Sequence, residues 1–160
     1  LAVTADAEPG VVLTLRSRAL QHHAGQVSFP GGARDRPDES VIETALREAT
    51  EEAGIEPQFV EPLGYLGRYD TISGYRMTVV VARLGEGVSL RPDNCEVDAV
   101  FTVALSRVAD PECYRHEKLR HGGRTFDIVT LDHPEQHIWG ATAALLHHFG
   151  MRLGPGPLKR

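Results

Sequence analysis

The sequence predicts an α/β fold in which a mixed β-sheet is covered by helices on both faces. Three observations carry this expectation: short strand-like runs recur along the chain, one strongly patterned helix interrupts them, and a second helix closes the sequence. Residues 11–15 are an apolar run suited to a buried strand, and Asp6-Ala7-Glu8-Pro9-Gly10 before them turns the chain back from residues 1–4, giving an opening hairpin. Residues 26–29 are a short extended piece stopped by Pro30-Gly31-Gly32, and residues 40–53 carry the helix. Strands are expected at 59–69, 75–84 and 99–103, with Ser73-Gly74 turning between the first two. Residues 118–120 and 125–131 flank His121-Gly122-Gly123 as another hairpin, and residues 138–149 form the closing helix. The chain shows no internal repeat.

A chain of 160 residues with 41% apolar content suits a single domain with one buried core. The expectation is one domain over 1–160, with residues 154–160 as a frayed tail. The sequence opens on Leu1 within an apolar run, without an initiator methionine or a secretory pattern, so further N-terminal sequence is expected before it. The longest apolar stretches, 77–82 and 97–105, fall well short of the roughly 20 residues a membrane span requires. No membrane association is expected. Cys95 and Cys113 form no C-x-x-C pair and read as ordinary thiols of a reducing, cytoplasmic compartment. The net charge of −5 argues against sequence-independent nucleic-acid binding. An anionic substrate would instead need a bound cation or clustered arginines such as Arg16, Arg18 and Arg34.

The helix is the most informative element. At about 100° per residue, Val41, Ile42, Ala45, Leu46, Ala49 and Ala53 fall within an arc of roughly 140° and should face the core. Glu48 and Glu52 lie within roughly 20° on either side of Val41, at one margin of that stripe, and Glu51 stands about 60° farther out. Carboxylates at such spacing repel, and partial burial raises the cost. A divalent cation would remove it, and hard oxygen donors suit Mg²⁺ or Mn²⁺. An acidic helical face alone reads as solvated surface. Here, however, Phe29-Pro30-Gly31-Gly32 brings a bare backbone toward the helix start, at a fixed distance from Arg47-Glu48-x-x-Glu51-Glu52-x-Gly54-Ile55. Ser40-x-x-Glu43 is a capping box, which makes Glu43 a helix-start residue. Gly54 ends the helix and Pro57 prevents its resumption. Arg47, one turn before Glu51, can pair with it and fix its direction.

Residues 32–55 resemble the Nudix box, whose pattern is Gly, five residues, Glu, seven residues, Arg-Glu-aliphatic-x-Glu-Glu-x-Gly-aliphatic. Counting back from Arg47 puts the first Glu of that pattern at Glu39 and its Gly on Ala33, so the loop from Gly32 carries one extra residue. Glu39 precedes the cap and receives no metal role. Leu13-Thr14-x-Arg16-Ser17, Leu20, His23 and Gly25-Gln26-Val27-x-Phe29-Pro30-Gly31-Gly32-x-x-Asp35 look like the extended signature of the coenzyme A diphosphatase branch. Further similarity appears in Asp70-Thr71 to Gly74-Tyr75, Glu96-Val97 to Phe101 and Ile138-Trp139-Gly140-Ala141-Thr142. Gln21, where that branch commonly has Arg, and Ser28, in place of Ala, depart from it.

The resemblance implies an α/β/α Nudix sandwich that hydrolyses a nucleoside diphosphate linked to another moiety. For coenzyme A, the products would be 3′,5′-ADP and 4′-phosphopantetheine. It implies Glu48 and Glu52 as metal ligands, Glu51 as a ligand of a second metal or a contact of the attacking water, and the carbonyl of Gly32 or Ala33 as a further donor. Arg47 would orient the acids. Glu96 is the candidate general base, the competing account being a loop-end carboxylate beside Asp93 and Asp98. Arg16, Arg18 and Arg34 could contact the diphosphate, and His23 the substrate, with strand-edge solvation and a structural hydrogen bond as the competing accounts. Trp139 and Tyr114 read as packing residues. A homodimer is common in the fold. Two other functions stay open: hydrolysis of ADP-ribose, NADH or a nucleoside triphosphate by the same acids, and a module that senses a nucleotide without cleaving it.

Overall fold

The computed structural model describes residues 1–71, 74–92 and 95–154, which form two compact units divided between Val103 and Ala104. The first unit is built on a six-stranded mixed sheet in the order β3-β2-β1-β5-β4, with β6 also paired to β2. Its strands are β1 (Ala2–Val3), β2 (Gly10–Arg16), β3 (Val27–Ser28), β4 (Val60–Asp70), β5 (Arg76–Leu84) and β6 (Val97–Ala104). The opening hairpin is present: Val3 faces Val11, and the Thr4 amide donates to the Gly10 carbonyl at 2.9 Å. β1 also runs parallel to β5, which makes the sheet mixed. β2 is flanked by three strands, so its apolar run from Val11 to Leu13 is wholly buried. The β4–β5 turn expected at Ser73-Gly74 falls partly outside the described residues; within them, Thr71 Oγ1 accepts from the Tyr75 amide and the Gly74 amide donates to the Thr71 carbonyl.

Helix α1 (Val41–Ala53) covers this sheet. Both arms of its capping box are made, with Ser40 Oγ accepting from the Glu43 amide and the Glu43 carboxylate accepting from the Ser40 amide. At its other end Gly54 adopts φ 67°, a left-handed conformation in which the Gly54 amide donates to the Thr50 carbonyl and the Ile55 amide to the Ala49 carbonyl. Ala53 and Ile55 pack with Val12 and Leu84, so the helix end is anchored in the core. One expectation is corrected: Val41 is 37% exposed, while Glu52, at nearly the same angle on the helix, is only 2% exposed. The difference is axial. Three turns along, Arg16 at the end of β2 and Gly31 of the glycine loop reach Glu52.

The second unit contains α2 (Leu105–Ala109), the hairpin of β7 (Tyr114–His121) and β8 (Arg124–Leu131), the short β9 (Ile138–Trp139) and α3 (Gly140–Leu153). The closing helix was expected from 138. Instead, Ile138 and Trp139 pair with Leu131 and Thr130 as a third strand, and the helix begins at Gly140, whose φ of 64° turns the chain out of the sheet. The hairpin is longer than its apolar residues suggested, because its polar run at Arg115, His116 and Glu117 pairs through backbone in full register. α2, five residues long, was not foreseen. Gly150 of α3 lies so close to the Val108 carbonyl that a β-carbon would overlap it, and Tyr114 donates its hydroxyl to that same carbonyl at 2.9 Å. Residues 155–160 of the expected frayed tail lie outside the described residues. No described helix is long and apolar enough to cross a membrane.

Replacing Ser40 by Ala removes the hydroxyl arm of the capping box. The expected cost is about 1 kcal/mol in chemical denaturation, with no change in the slope of the transition.

Candidate functional site

The residues of interest all belong to the first unit, and Arg47 sits at their centre. Its guanidinium reaches in two directions. Toward the loop it donates through Nε and Nη2 to the two oxygens of Asp38 at 3.3 and 3.2 Å, and through Nη2 to the Ala33 carbonyl at 3.0 Å. Toward the helix, Nη1 reaches Glu48 Oε1 at 2.9 Å and Glu51 Oε2 at 3.1 Å. Five N–H groups in a fixed plane allow one side chain to hold loop and helix at once. Burial opposes that charge, yet the Asp38 bonds keep the Arg47 guanidinium protonated well above its ordinary range.

Asp38 was not anticipated as a site residue. Its side chain is buried and also accepts the Asp35 amide and the Thr44 hydroxyl, each at 2.9 Å. The Arg47 hydrogen bonds, helped by these others, hold its carboxyl down at about 2. A signal for it was available: Asp38 stands six residues after Gly32, the spacing that the motif prescribes for its first acid. The additional residue therefore lies between Asp38 and Arg47. Glu39 is exposed, and its backbone amide is bonded to the Glu43 carboxylate.

Glu52 has the opposite environment. It is almost wholly buried at the helix end, where Oε2 accepts the Gly31 amide at 3.1 Å and Oε1 lies 3.5 Å from Arg16 Nη1. Burial outweighs these partners and pushes its carboxyl up to about 7; the charges of Glu48 and Glu96 act in the same direction. Glu48 is raised as well, first by burial and also by Glu51 and Glu96, against the pull of Arg47. Glu48, Glu52 and Glu96 thus share one electrostatic neighbourhood, which Arg16 spans by reaching Glu96 Oε2 at 3.8 Å. Gly32 closes this arrangement, since a β-carbon there would collide with the Glu48 carboxylate.

Among the described residues no three His, Cys, Asp or Glu side chains converge closely enough to form a cation site. The donor chemistry nevertheless suits a hard divalent ion: the buried Glu52 and the partly buried Glu48 carboxylates, both at raised pKa, beside a glycine backbone that approaches Glu48. Glu51 is half exposed and directed by Arg47. The remaining candidates have other partners. Arg34 donates to the Asp38 and Glu39 carbonyls at 2.9 to 3.1 Å, tying the loop to itself. Arg18 is exposed, with its amide on Asp98, and His23 pairs through Nδ1 with Gln26 three residues on.

The sequence model of the NUDIX domain matches residues 1–121. The chain is 37% identical over 149 residues to the uncharacterized Nudix hydrolase NudL of Pectobacterium atrosepticum, covering 93% of this chain and 78% of that protein. Among solved structures it is similar to the NUDIX domain of Shewanella oneidensis NrtR complexed with ADP ribose, with a TM-score of 0.57 and 19% identity over 95% of this chain and 84% of the other. It is also similar to the Nudix hydrolase RenU from M. smegmatis, with a TM-score of 0.52 and 26% identity over 68% of each chain.

Two outcomes follow from this geometry. Gly32→Ala should leave the melting temperature within a few degrees of wild type, because the carboxylate tip can shift, while kcat drops roughly a hundredfold through the misplaced acid. Asp38→Asn tests the Arg47–Asp38 contact, the bolt between loop and helix. A carboxyl held below its ordinary value stabilises the fold above that value and loses its effect as pH falls. The melting-temperature advantage of wild type over the variant should therefore be constant near neutrality and vanish between about pH 3.8 and about pH 2.

Proposed function

The chain belongs to the Nudix family, and on that premise we propose that it is a divalent-metal-dependent hydrolase of the phosphoanhydride in coenzyme A or a close derivative, yielding 3′,5′-ADP and 4′-phosphopantetheine or its acyl form. One observation carries the substrate reading. The upstream motif that resembles the coenzyme A diphosphatase branch packs against the Nudix box: Arg16 and Gly31 both contact Glu52, and Thr14 on β2 bonds Ser28 on β3 beneath them. The family match runs past residue 103 into the second unit, which supports reading residues 1–160 as one domain. The two free thiols fit a reducing, cytoplasmic setting.

Glu48 and Glu52 would hold Mg²⁺ or Mn²⁺, with the Gly32 carbonyl as a further donor. When bound, the ion would supply charge neutralisation on the bridging phosphates and an activated water. Glu51, aimed by Arg47, would contact a second ion or the attacking water. Glu96, 53% exposed and close enough to raise the pKa of Glu48 and Glu52, is the proposed general base. Arg16, Arg18, Arg34 and His23 would bind the anionic substrate. Arg34 would have to do so while still supporting the loop.

Product analysis with Mg²⁺ or Mn²⁺ tests this reading. Coenzyme A should give 3′,5′-ADP with the highest kcat/KM in a panel that includes ADP-ribose, NADH and a nucleoside triphosphate. A preference for another member would replace the substrate, and turnover of none would favour a sensing module. Glu52→Gln should abolish turnover without lowering the metal-free melting temperature, because the amide removes a charge that the fold buries at a cost; activity near wild type would remove Glu52 from the ligand set.

A further inference from the structure

Two arginines serve the acids in different ways. Arg47 is bonded within 3.3 Å to Asp38, Ala33, Glu48 and Glu51, and much of that set belongs to the loop rather than to the acidic edge. Arg16 approaches Glu52 at 3.5 Å and Glu96 at 3.8 Å, longer than the roughly 2.7–2.9 Å of a strong charge-assisted bond. Its backbone is fixed in β2, where its amide donates to Gln26 at 2.9 Å and its carbonyl accepts from Gly25 at 3.1 Å. The side chain alone is free to change partner.

Charge explains why it would. One guanidinium stands between the carboxyl groups of Glu52 and Glu96, and Glu48 adds negative charge to the same field. A dication at these acids would balance them better than a guanidinium does. We infer that Arg16 is the resident counter-ion of Glu52 and Glu96, is displaced from them when a divalent cation binds, and is thereby released to a phosphate of the substrate. The exchange keeps a buried carboxylate from standing alone between turnovers, and it makes the strongest arginine–phosphate contact available only once the metal is in place. It rests on the metal-dependent reading above.

The test uses stability and binding rather than activity. Arg16→Gln should lower the melting temperature by several degrees in EDTA, and saturating Mg²⁺ should recover at least half of that loss. By linkage, calorimetry should show Mg²⁺ binding the variant roughly five- to tenfold more tightly than wild type. Arg16→Lys, which keeps a cation beside the acids, should stay close to wild type in EDTA. Arg34→Gln removes an equal charge from the loop and should change Mg²⁺ affinity much less. An equal loss of stability with and without Mg²⁺, unchanged or weaker Mg²⁺ binding by Arg16→Gln, or an equal gain in Arg34→Gln would overturn the exchange while leaving the metal reading intact. A wild-type protein without saturable Mg²⁺ binding would overturn both.

Discussion

The Arg47–Asp38 contact is the constraint on which the rest of the site depends. A glycine loop has little conformational preference of its own, and a helix of 13 residues presents its acids wherever its packing turns them. Arg47 removes both freedoms by bonding the buried Asp38 and the Ala33 carbonyl on one side and Glu48 and Glu51 on the other. Asp38 is in turn held by the Asp35 amide and the Thr44 hydroxyl, so the bolt has a fixed socket. Losing Arg47 would leave the buried Asp38 carboxylate without its cation, which is why such a contact specifies geometry even where its net stabilisation is small.

With loop and helix fixed, the site becomes a problem of charge. Asp38 and Glu52 are both buried carboxylates, yet one is held near 2 and the other pushed to about 7. The difference is their partners. Asp38 receives two N–H bonds from the edge of a guanidinium together with an amide and a hydroxyl, whereas Glu52 has one amide and a distant arginine, with two further acids nearby. Environments that separate the pKa values of like groups in this way are typical of sites built for chemistry. The structural acid is satisfied within the protein. The acids proposed to be functional repel one another, and Arg16 stands against two of them, Glu52 and Glu96, at 3.5 and 3.8 Å.

Much of this was legible in the chain. The alternation of strands and helices, the opening hairpin, the capping box at Ser40 and the helix stop at Gly54 are local properties, and each appears as read. The errors came where neighbours outweigh pattern. Val41 and Glu52 have nearly the same position on a helical wheel, which cannot show that Arg16 of β2 and Gly31 of the loop reach the helix at Glu52. Ile138 and Trp139 look helical in an apolar run and become a strand because β8 offers an edge. Asp38 was missed by counting from Arg47 rather than from Gly32. Counting from the glycine would have found it, although no spacing rule could have shown its carboxylate buried under a guanidinium.

The measurement that tests the central claim most directly is a titration of the protein with Mn²⁺, followed by electron paramagnetic resonance of the free ion, in wild type and in a Glu48→Gln, Glu52→Gln double variant. If the acids beside the glycine loop hold the catalytic ion, wild type will remove Mn²⁺ from solution at a saturable site and the double variant will lose that site while remaining folded. Equal Mn²⁺ binding by both proteins would contradict the account, because Glu48 and Glu52 would then not be where the cation goes.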